Sequence, residues 1–219
     1  MYDYNPSRRN FVRNFTVGAA GLWVPGAFAE ALTMTPKQTE GPFYPVDLPL
    51  DTDNDLIIVN DLLKPSLGEV THISGRVLGP TGAPVRNALV EIWQVDHHGV
   101  YLHKGSNGAD KRDANFQGFG RFLTGGSGEY YFRTIKPVSY PGRTPHIHFA
   151  VKMKGRGKWT TQLYIKGEPQ NEKDGLLRRV EGDKERDAII RDFAPIPNSK
   201  VGELAVNFDI VMGYTPGDM

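Results

Sequence analysis

The sequence predicts an all-β fold: an antiparallel β-sandwich with long irregular loops and one or two short helices. Three observations carry that prediction. Short runs rich in β-branched and aromatic residues recur along the chain, bounded by Gly, Pro or Lys. Turn signals separate them, and Gly (25) and Pro (16) together exceed their usual share in 219 residues. Within the runs, apolar and polar residues partly alternate, as a strand with one buried face requires.

The first thirty residues read differently from the rest. Ser7-Arg8-Arg9-Asn10-Phe11-Val12 is a twin-arginine pattern, followed by a weakly apolar run from Phe15 to Ala29. Ala27-Phe28-Ala29 offers a small-x-small cleavage site, and Pro25 interrupts a run already too short to span a membrane. Residues 1–29 are therefore expected to be a twin-arginine export signal, directing a folded protein to the periplasm or outside the cell. The alternative is an N-terminal arm of a cytoplasmic protein. Residues 30–69 are expected to form an irregular arm, because Thr39-Glu40-Gly41-Pro42-Phe43-Tyr44-Pro45 is too broken for a regular element.

The sandwich core is expected over residues 70–219. Its strands are read at Val70–Leu78, Ala88–Val95, Glu129–Ile135, Ile147–Met153, Thr160–Ile165 and Ala205–Met212. Gly79-Pro80-Thr81-Gly82-Ala83-Pro84 turns the chain after the first, and Gly125-Gly126-Ser127-Gly128 introduces the third. Leu176–Val180 and Arg186–Phe193 read as short helices on a connection. There is no internal repeat and no sign of a second domain.

Composition removes several function classes. With no cysteine, thiolate metal sites, iron–sulfur clusters, disulfides and Cys nucleophiles are excluded, so a metal would need His, Tyr, Asp or Glu. A net charge of +1 without blocks of like charge leaves no nucleic-acid footprint. No G-x-S-x-G elbow, phosphate loop or H-E-x-x-H helix is present.

His146-Ile147-His148 is the sharpest local signal. On a strand, side chains two residues apart share a face about 7 Å apart, so both imidazoles could reach one metal while Ile147 enters the core. A structural pair of half-exposed histidines fits the same tripeptide. Before it, Lys136–Pro145 is a loop held by three prolines that brings Tyr140 and Arg143 to the mouth of the histidine strand. Tyr101 follows a Gly-containing turn after the second strand. Spacing alone does not bring the tyrosines to the histidines, and amphipathic surface residues are the plain alternative.

Taken together, Thr39–Pro45, Ile92–Tyr101, Asn115–Arg121, Thr134–Tyr140, Arg143–Phe149 and Gln162-Leu163-Tyr164 resemble the ordered motif set of the intradiol ring-cleavage dioxygenases, over roughly residues 36–212. The resemblance is closest to the protocatechuate 3,4-dioxygenase branch. It implies an enzyme holding one Fe(III) per chain through Tyr101, Tyr140, His146 and His148. It implies cleavage of a catechol-type ring by O2 between the hydroxylated carbons, giving a muconate-type diacid. Tyr140 would also take a substrate proton, and Arg143 would stabilise developing negative charge. Gln162, Trp93 and Tyr44 would line the substrate site with Arg143. Fe(III) is a hard cation suited to phenolate oxygens, and two phenolates with a hydroxide cancel its charge. His97, His98 and His103 read as turn or rim residues and His72 as structural. Glu40, beside the implied pocket, would disfavour an anionic ring substituent. The expected partners are a small aromatic diol and O2, within a homo-oligomer or a hetero-oligomer with a homologous subunit. Two readings from other classes compete: a non-catalytic prealbumin-like β-sandwich binding module, suggested by Val70–Val95, and a zinc hydrolase using the H-x-H pair.

Overall fold

A computed structural model of the protein describes residues 32–59 and 64–213. The proposed leader lies outside the described residues. Ten strands run in chain order: β1 (Val70–Leu78), β2 (Leu89–Trp93), β3 (Phe119–Leu123), β4 (Glu129–Ile135), β5 (His146–Lys152), β6 (Trp159–Ile165), β7 (Ile190–Arg191), β8 (Ala194–Pro195), β9 (Leu204–Asn207) and β10 (Ile210–Val211). They form two five-stranded sheets. In the first, β1 pairs with β4, β9 and β10, and β8 continues from β9; the second has the order β3-β2-β5-β6-β7.

The sandwich is mixed at its edges. Strands β9 and β10 run parallel to β1, and β7 runs parallel to β6, while the central pairings are antiparallel. Two further expectations need correction. The run Ala205–Met212 is two strands, because the chain steps aside at Phe208, whose N–H bonds to the Ser74 carbonyl. The helix expected at Arg186–Phe193 is instead α1 (Asp183–Ile189), followed at once by β7; Leu176–Val180 supplies only the 3-10 turn Leu177–Arg179.

One apolar cluster joins the inner faces of both sheets. Ile73, Val77 and Phe132 from the first sheet meet Val90, Ile92, Ile147, Phe149 and Leu163 from the second, all essentially without exposed surface. Phe149 of β5 is the keystone of this contact, with ring centroids 6.0 Å from Tyr130, 6.5 Å from Phe132 and 5.0 Å from Phe208. Strict alternation then forces His146 and His148 to the opposite face.

That outer face is also buried, because residues 36–56 cross it. The crossing starts at the open edge of β6, where Gln38 N–H bonds to the Thr160 carbonyl and the Gln38 side chain accepts from Gln162 N–H. It passes His148 at Gly41 and lays Tyr44 against Trp93 and Phe119. It ends along β3, where Arg121 N–H bonds to the Thr52 carbonyl. The arm thus bonds to β6 on one side of this sheet and to the edge strand β3 on the other. Gly120 is required for that closeness: a Cβ there would lie 2.7 Å from the Asp53 carbonyl oxygen and 2.5 Å from Leu56.

Candidate metal centre and pocket

Loop chemistry brings the first tyrosine in. After β2 the chain turns around Asp96, whose carboxylate accepts from His98, Val100 and Asp113 N–H at 2.9, 3.0 and 2.6 Å. Gly99 takes the left-handed conformation (φ 78) that the turn needs. Tyr101 emerges buried, with Phe43 stacked on its ring at 4.7 Å.

The second tyrosine arrives on a tight turn, in which Arg143 N–H bonds to the Tyr140 carbonyl and Gly142 sits at φ 81. This turn folds Arg143 back over Tyr140, leaving Nη1 3.4 Å from the Tyr140 hydroxyl. Its other nitrogens are engaged too, Nε with Asp174 at 2.8 Å and Nη2 with the Gln162 side-chain oxygen at 2.6 Å.

The histidines meet these tyrosines. His148 Nε2 lies 3.0 Å from the Tyr101 hydroxyl, His146 Nε2 lies 3.5 Å from it, and the two Nε2 atoms are 3.1 Å apart. Tyr140 completes the group, with its ring centroid 5.4 Å from Tyr101 and 5.6 Å from His146. His146 Nδ1–H donates to the Thr144 carbonyl at 2.7 Å, which leaves Nε2 a bare lone pair aimed at the others. The Trp93 indole lies flat on His148 at 4.8 Å and 8°, setting the plane of that ring.

Would a metal fit? Bonds of roughly 2.1 Å at 90–120° space their donor atoms about 3.0–3.6 Å apart, which brackets the observed contacts. Too few protons are available to satisfy all three contacts as hydrogen bonds, and His148 Nδ1 is buried without a partner. Burial, then the charge of Arg143, lowers His146 to about 3. Burial, His146 and Arg143 push His148 well below its ordinary value. Both imidazoles are therefore neutral, the form that ligates. Burial, then Tyr140, raises the Tyr101 phenol well above its ordinary value, so a nearby cation is what would make it a tyrosinate. Among the described residues no cluster of three or more His, Cys, Asp or Glu could hold a metal, so a site here must recruit tyrosine. The donor set fits a hard trivalent ion such as Fe(III).

Of the remaining candidates, Trp93 and Arg143 touch this group directly. Gln162 has no exposed surface, and its amide is occupied by Arg143, Tyr164 and the Thr39 carbonyl. Tyr44 stands one layer further out: its hydroxyl donates to Glu91 and accepts from Lys152, both at 3.0 Å. His103 edges Phe43 at 6.0 Å on the rim, His97 and His98 are exposed, and His72 bonds to Tyr131 and Glu203 on β1.

Sequence reasoning missed three contributors. Phe43 packs against Tyr101 and edges Tyr140 at 6.2 Å, closing the group from solvent. Gln38 ties the arm to Tyr164 and Gln162. Asp174, with no exposed side-chain surface, anchors Arg143. Only the Pro-flanked aromatic pair Phe43-Tyr44 gave a signal; a lone Asp 31 residues beyond Arg143 gives none.

Comparisons with known proteins show what the chain is similar to. A protein-family profile described as Dioxygenase matches residues 39–213. The beta chain of protocatechuate 3,4-dioxygenase from Burkholderia cepacia is 38% identical over 154 residues, covering 67% of this chain and 65% of that one. Catechol 1,2-dioxygenase 2 of Acinetobacter lwoffii is 33% identical over 153 residues, 62% of this chain and 52% of that protein. The chain thus spans only about half to two-thirds of those relatives. The alpha chain of protocatechuate 3,4-dioxygenase from Pseudomonas putida is 31% identical over 194 residues, 83% of this chain and 92% of that one. Among solved structures, the dioxygenase domain of a dioxygenase carbohydrate-binding protein fusion from Streptomyces sp. SirexAA-E superposes with a TM-score of 0.64. It is 31% identical, and the match covers 83% of this chain and 99% of that one.

Proposed function

Because this chain belongs to the intradiol ring-cleavage dioxygenases, we propose that it binds one Fe(III) through Tyr101, Tyr140, His146 and His148 and cleaves a catechol-type ring with O2. The observation that carries this reading is the convergence of the Tyr101 hydroxyl and both Nε2 atoms within 3.0–3.5 Å of one another. A binding module would have no use for that convergence, and a zinc hydrolase would have little use for the tyrosines.

The reaction balances simply. The bond between the two oxygen-bearing carbons breaks, both atoms of O2 enter the product, and each former C–OH carbon becomes a carboxyl group. Fe(III), when bound, supplies the Lewis acidity that favours the doubly deprotonated diol and primes its ring for O2. The protein's own groups do the rest. Tyr140, half-buried beside Arg143, would hold the metal as a phenolate and accept one of the two diol protons at that oxygen, the other leaving to water. Arg143, held on three sides, is a preorganised donor for negative charge developing on the ring and on O2. Thr144 fixes the tautomer of His146, Trp93 fixes the plane of His148, and Phe43 keeps bulk water from Tyr101. Trp93 beside His148, with Tyr44 packed behind it, would border a bound diol, and Gln162 holds Arg143 and the arm in register.

The twin-arginine pattern at residues 7–12, read as an export signal, supports periplasmic or secreted action on ring diols. The alpha and beta chains among the relatives support assembly with a like or homologous subunit. Among the described residues no helix is long and apolar enough to cross a membrane. The test is direct. The iron-loaded protein should show a broad visible tyrosinate band and consume one O2 per ring diol, with the ultraviolet spectrum of a muconate-type product. An iron-loaded, folded protein without that band and without O2 uptake on any diol would refute the reading.

A further inference from the structure

Resting on the ring-diol reading above, we propose that Gln38 and Tyr164 are positioning residues for Arg143, the start of a hydrogen-bond chain of fixed polarity that runs from the arm through Gln162 and holds the plane of the guanidinium. Each link has one permitted direction. Gln162 N–H can only donate, so the atom of the Gln38 side chain 3.1 Å from it is the amide oxygen. The Gln38 NH2 therefore faces Tyr164 and donates to its hydroxyl at 3.0 Å. Tyr164 has a single proton to give, and it goes to the Gln162 side-chain oxygen, also at 3.0 Å. That oxygen is the acceptor that Arg143 Nη2 meets at 2.6 Å. At the other end of the same amide the Thr39 carbonyl can only accept, so the Gln162 NH2 points there, at 3.2 Å. Groups that cannot reverse thus bracket the chain at Gln162 N–H, the Thr39 carbonyl and Arg143. Burial, opposed by the charge of Arg143, raises the Tyr164 phenol above its ordinary value, so the chain keeps its proton at neutral pH.

Two features separate this role from plain packing. The arm does not need the Gln38 side chain to stay in place. Gln38 N–H bonds to the Thr160 carbonyl at 2.9 Å, the Thr160 hydroxyl donates to the Gln38 carbonyl at 2.6 Å, and the Thr161 hydroxyl donates to the Pro36 carbonyl at 2.7 Å. Arg143, for its part, needs more than Asp174. A single contact at Nε lets the guanidinium tip about that bond, and a second, at Nη2, fixes the plane. The Tyr140 contact, at 3.4 Å, is too long to do so alone. Gln162 and Tyr164 have no exposed surface, so water cannot replace a link that is lost.

The experiment uses Gln38→Met, Tyr164→Phe and the double variant of the full chain. Turnover of the best-used ring diol is followed by O2 uptake on the iron-loaded proteins. The metal-free proteins are followed by nitrogen NMR of the Arg143 side chain, assigned by its loss in Arg143→Lys. The expected result is kcat lower by about tenfold in each single variant, KM within about twofold, and iron content and the visible band unchanged. The double variant should be no more than about twofold worse than either single one, because one chain is broken at either link. The unmodified protein should show separate Nη signals for Arg143, and each variant should average them. Should Tyr164→Phe not fold, Gln38→Met, on the arm, decides the matter. A folded variant that keeps kcat within about twofold of the unmodified protein would overturn the proposal, as would fully additive losses in the double variant. So would Nη signals that stay separate in the variants, or that are already averaged in the unmodified protein. Failure of the unmodified protein to cleave any ring diol would instead overturn the ring-cleavage reading, and the NMR comparison would still decide whether Gln38 and Tyr164 hold the guanidinium.

Discussion

Asp174→Asn isolates the group that orients Arg143. Asp174 Oδ2 accepts from Arg143 Nε at 2.8 Å and Thr144 N–H at 3.0 Å, and Oδ1 accepts from Leu176 and Leu177 N–H at 3.0 and 2.9 Å. Four donors meet two oxygens with no solvent between. An asparagine in either orientation sets its own NH2 against two of those N–H groups. Two buried donors left without acceptors cost about 1–3 kcal/mol each, in line with roughly 3–5 kcal/mol for breaking a buried pair on one side. For a chain of this size that predicts a Tm lower by about 6–20 °C by calorimetry. The guanidinium, freed at Nε, would lose its aim, and kcat/KM for the best diol should fall about 10²-fold, mainly in kcat. The iron content and visible band should persist, since Asp174 touches none of the four donors. Acid adds a signature. Burial alone would raise the Asp174 carboxyl, but the hydrogen bonds from Arg143, Leu177 and Thr144 and the charge of Arg143 hold it below its ordinary value. Its contribution is therefore present above the unfolded value of about 3.9 and is lost as pH falls through the lower folded value, so the Tm gap should persist at pH 5 and narrow below about pH 4. A folded variant within threefold of wild type in kcat/KM, or a Tm loss under about 2 °C, would refute the reasoning.

Three further predictions follow from the geometry. Tyr101→Phe removes the most buried phenolate donor; the visible band should bleach and iron retention after dialysis should fall well below one per chain, as metal analysis would show. His146 is held at about 3, below the unfolded value of about 6.5, so the unfolded chain binds more protons between those values. The metal-free protein should therefore lose stability as pH falls from 6.5 toward 3, and a Tm unchanged between pH 7 and pH 4 would contradict a buried neutral imidazole. Gly75→Ala should unfold the chain or cost more than about 3 kcal/mol, because its Cβ would lie 1.9 Å from the Phe208 carbonyl oxygen, to which Tyr130 also donates. Soluble expression and urea denaturation would measure it.

Much of the fold was legible because periodicity is a local property. Val70–Leu78 and Glu129–Ile135 appear as read, since each alternates cleanly between a core face and a wetter one. Strand β3 escaped as a strand because Phe119-Gly120-Arg121 carries a glycine that propensity penalises; its reason is the close approach of Asp53, invisible without the fold. The two-residue strands β7 and β8 are too short to carry a pattern. At the site, the paired histidines announced themselves by spacing. The tyrosines became ligand candidates only through motif order, and Asp174 and Gln38 act across 31 and more than 120 residues. Contacts of that range are set by topology, which no window of sequence holds.

The histidine strand has a consequence for how this protein can change over generations. Ile147, Phe149 and Val151 answer to the interior, while His146, His148 and the residues facing the arm answer to chemistry. One ribbon of backbone thus serves two masters that scarcely interfere. Residues 39–44 meet only the outer face of that ribbon, so drift there would alter the surroundings of the four candidate donors while leaving the packing of Phe149 behind them in place. On the proposed function, a handful of substitutions in one short stretch of chain would then be enough to change which ring diols are taken.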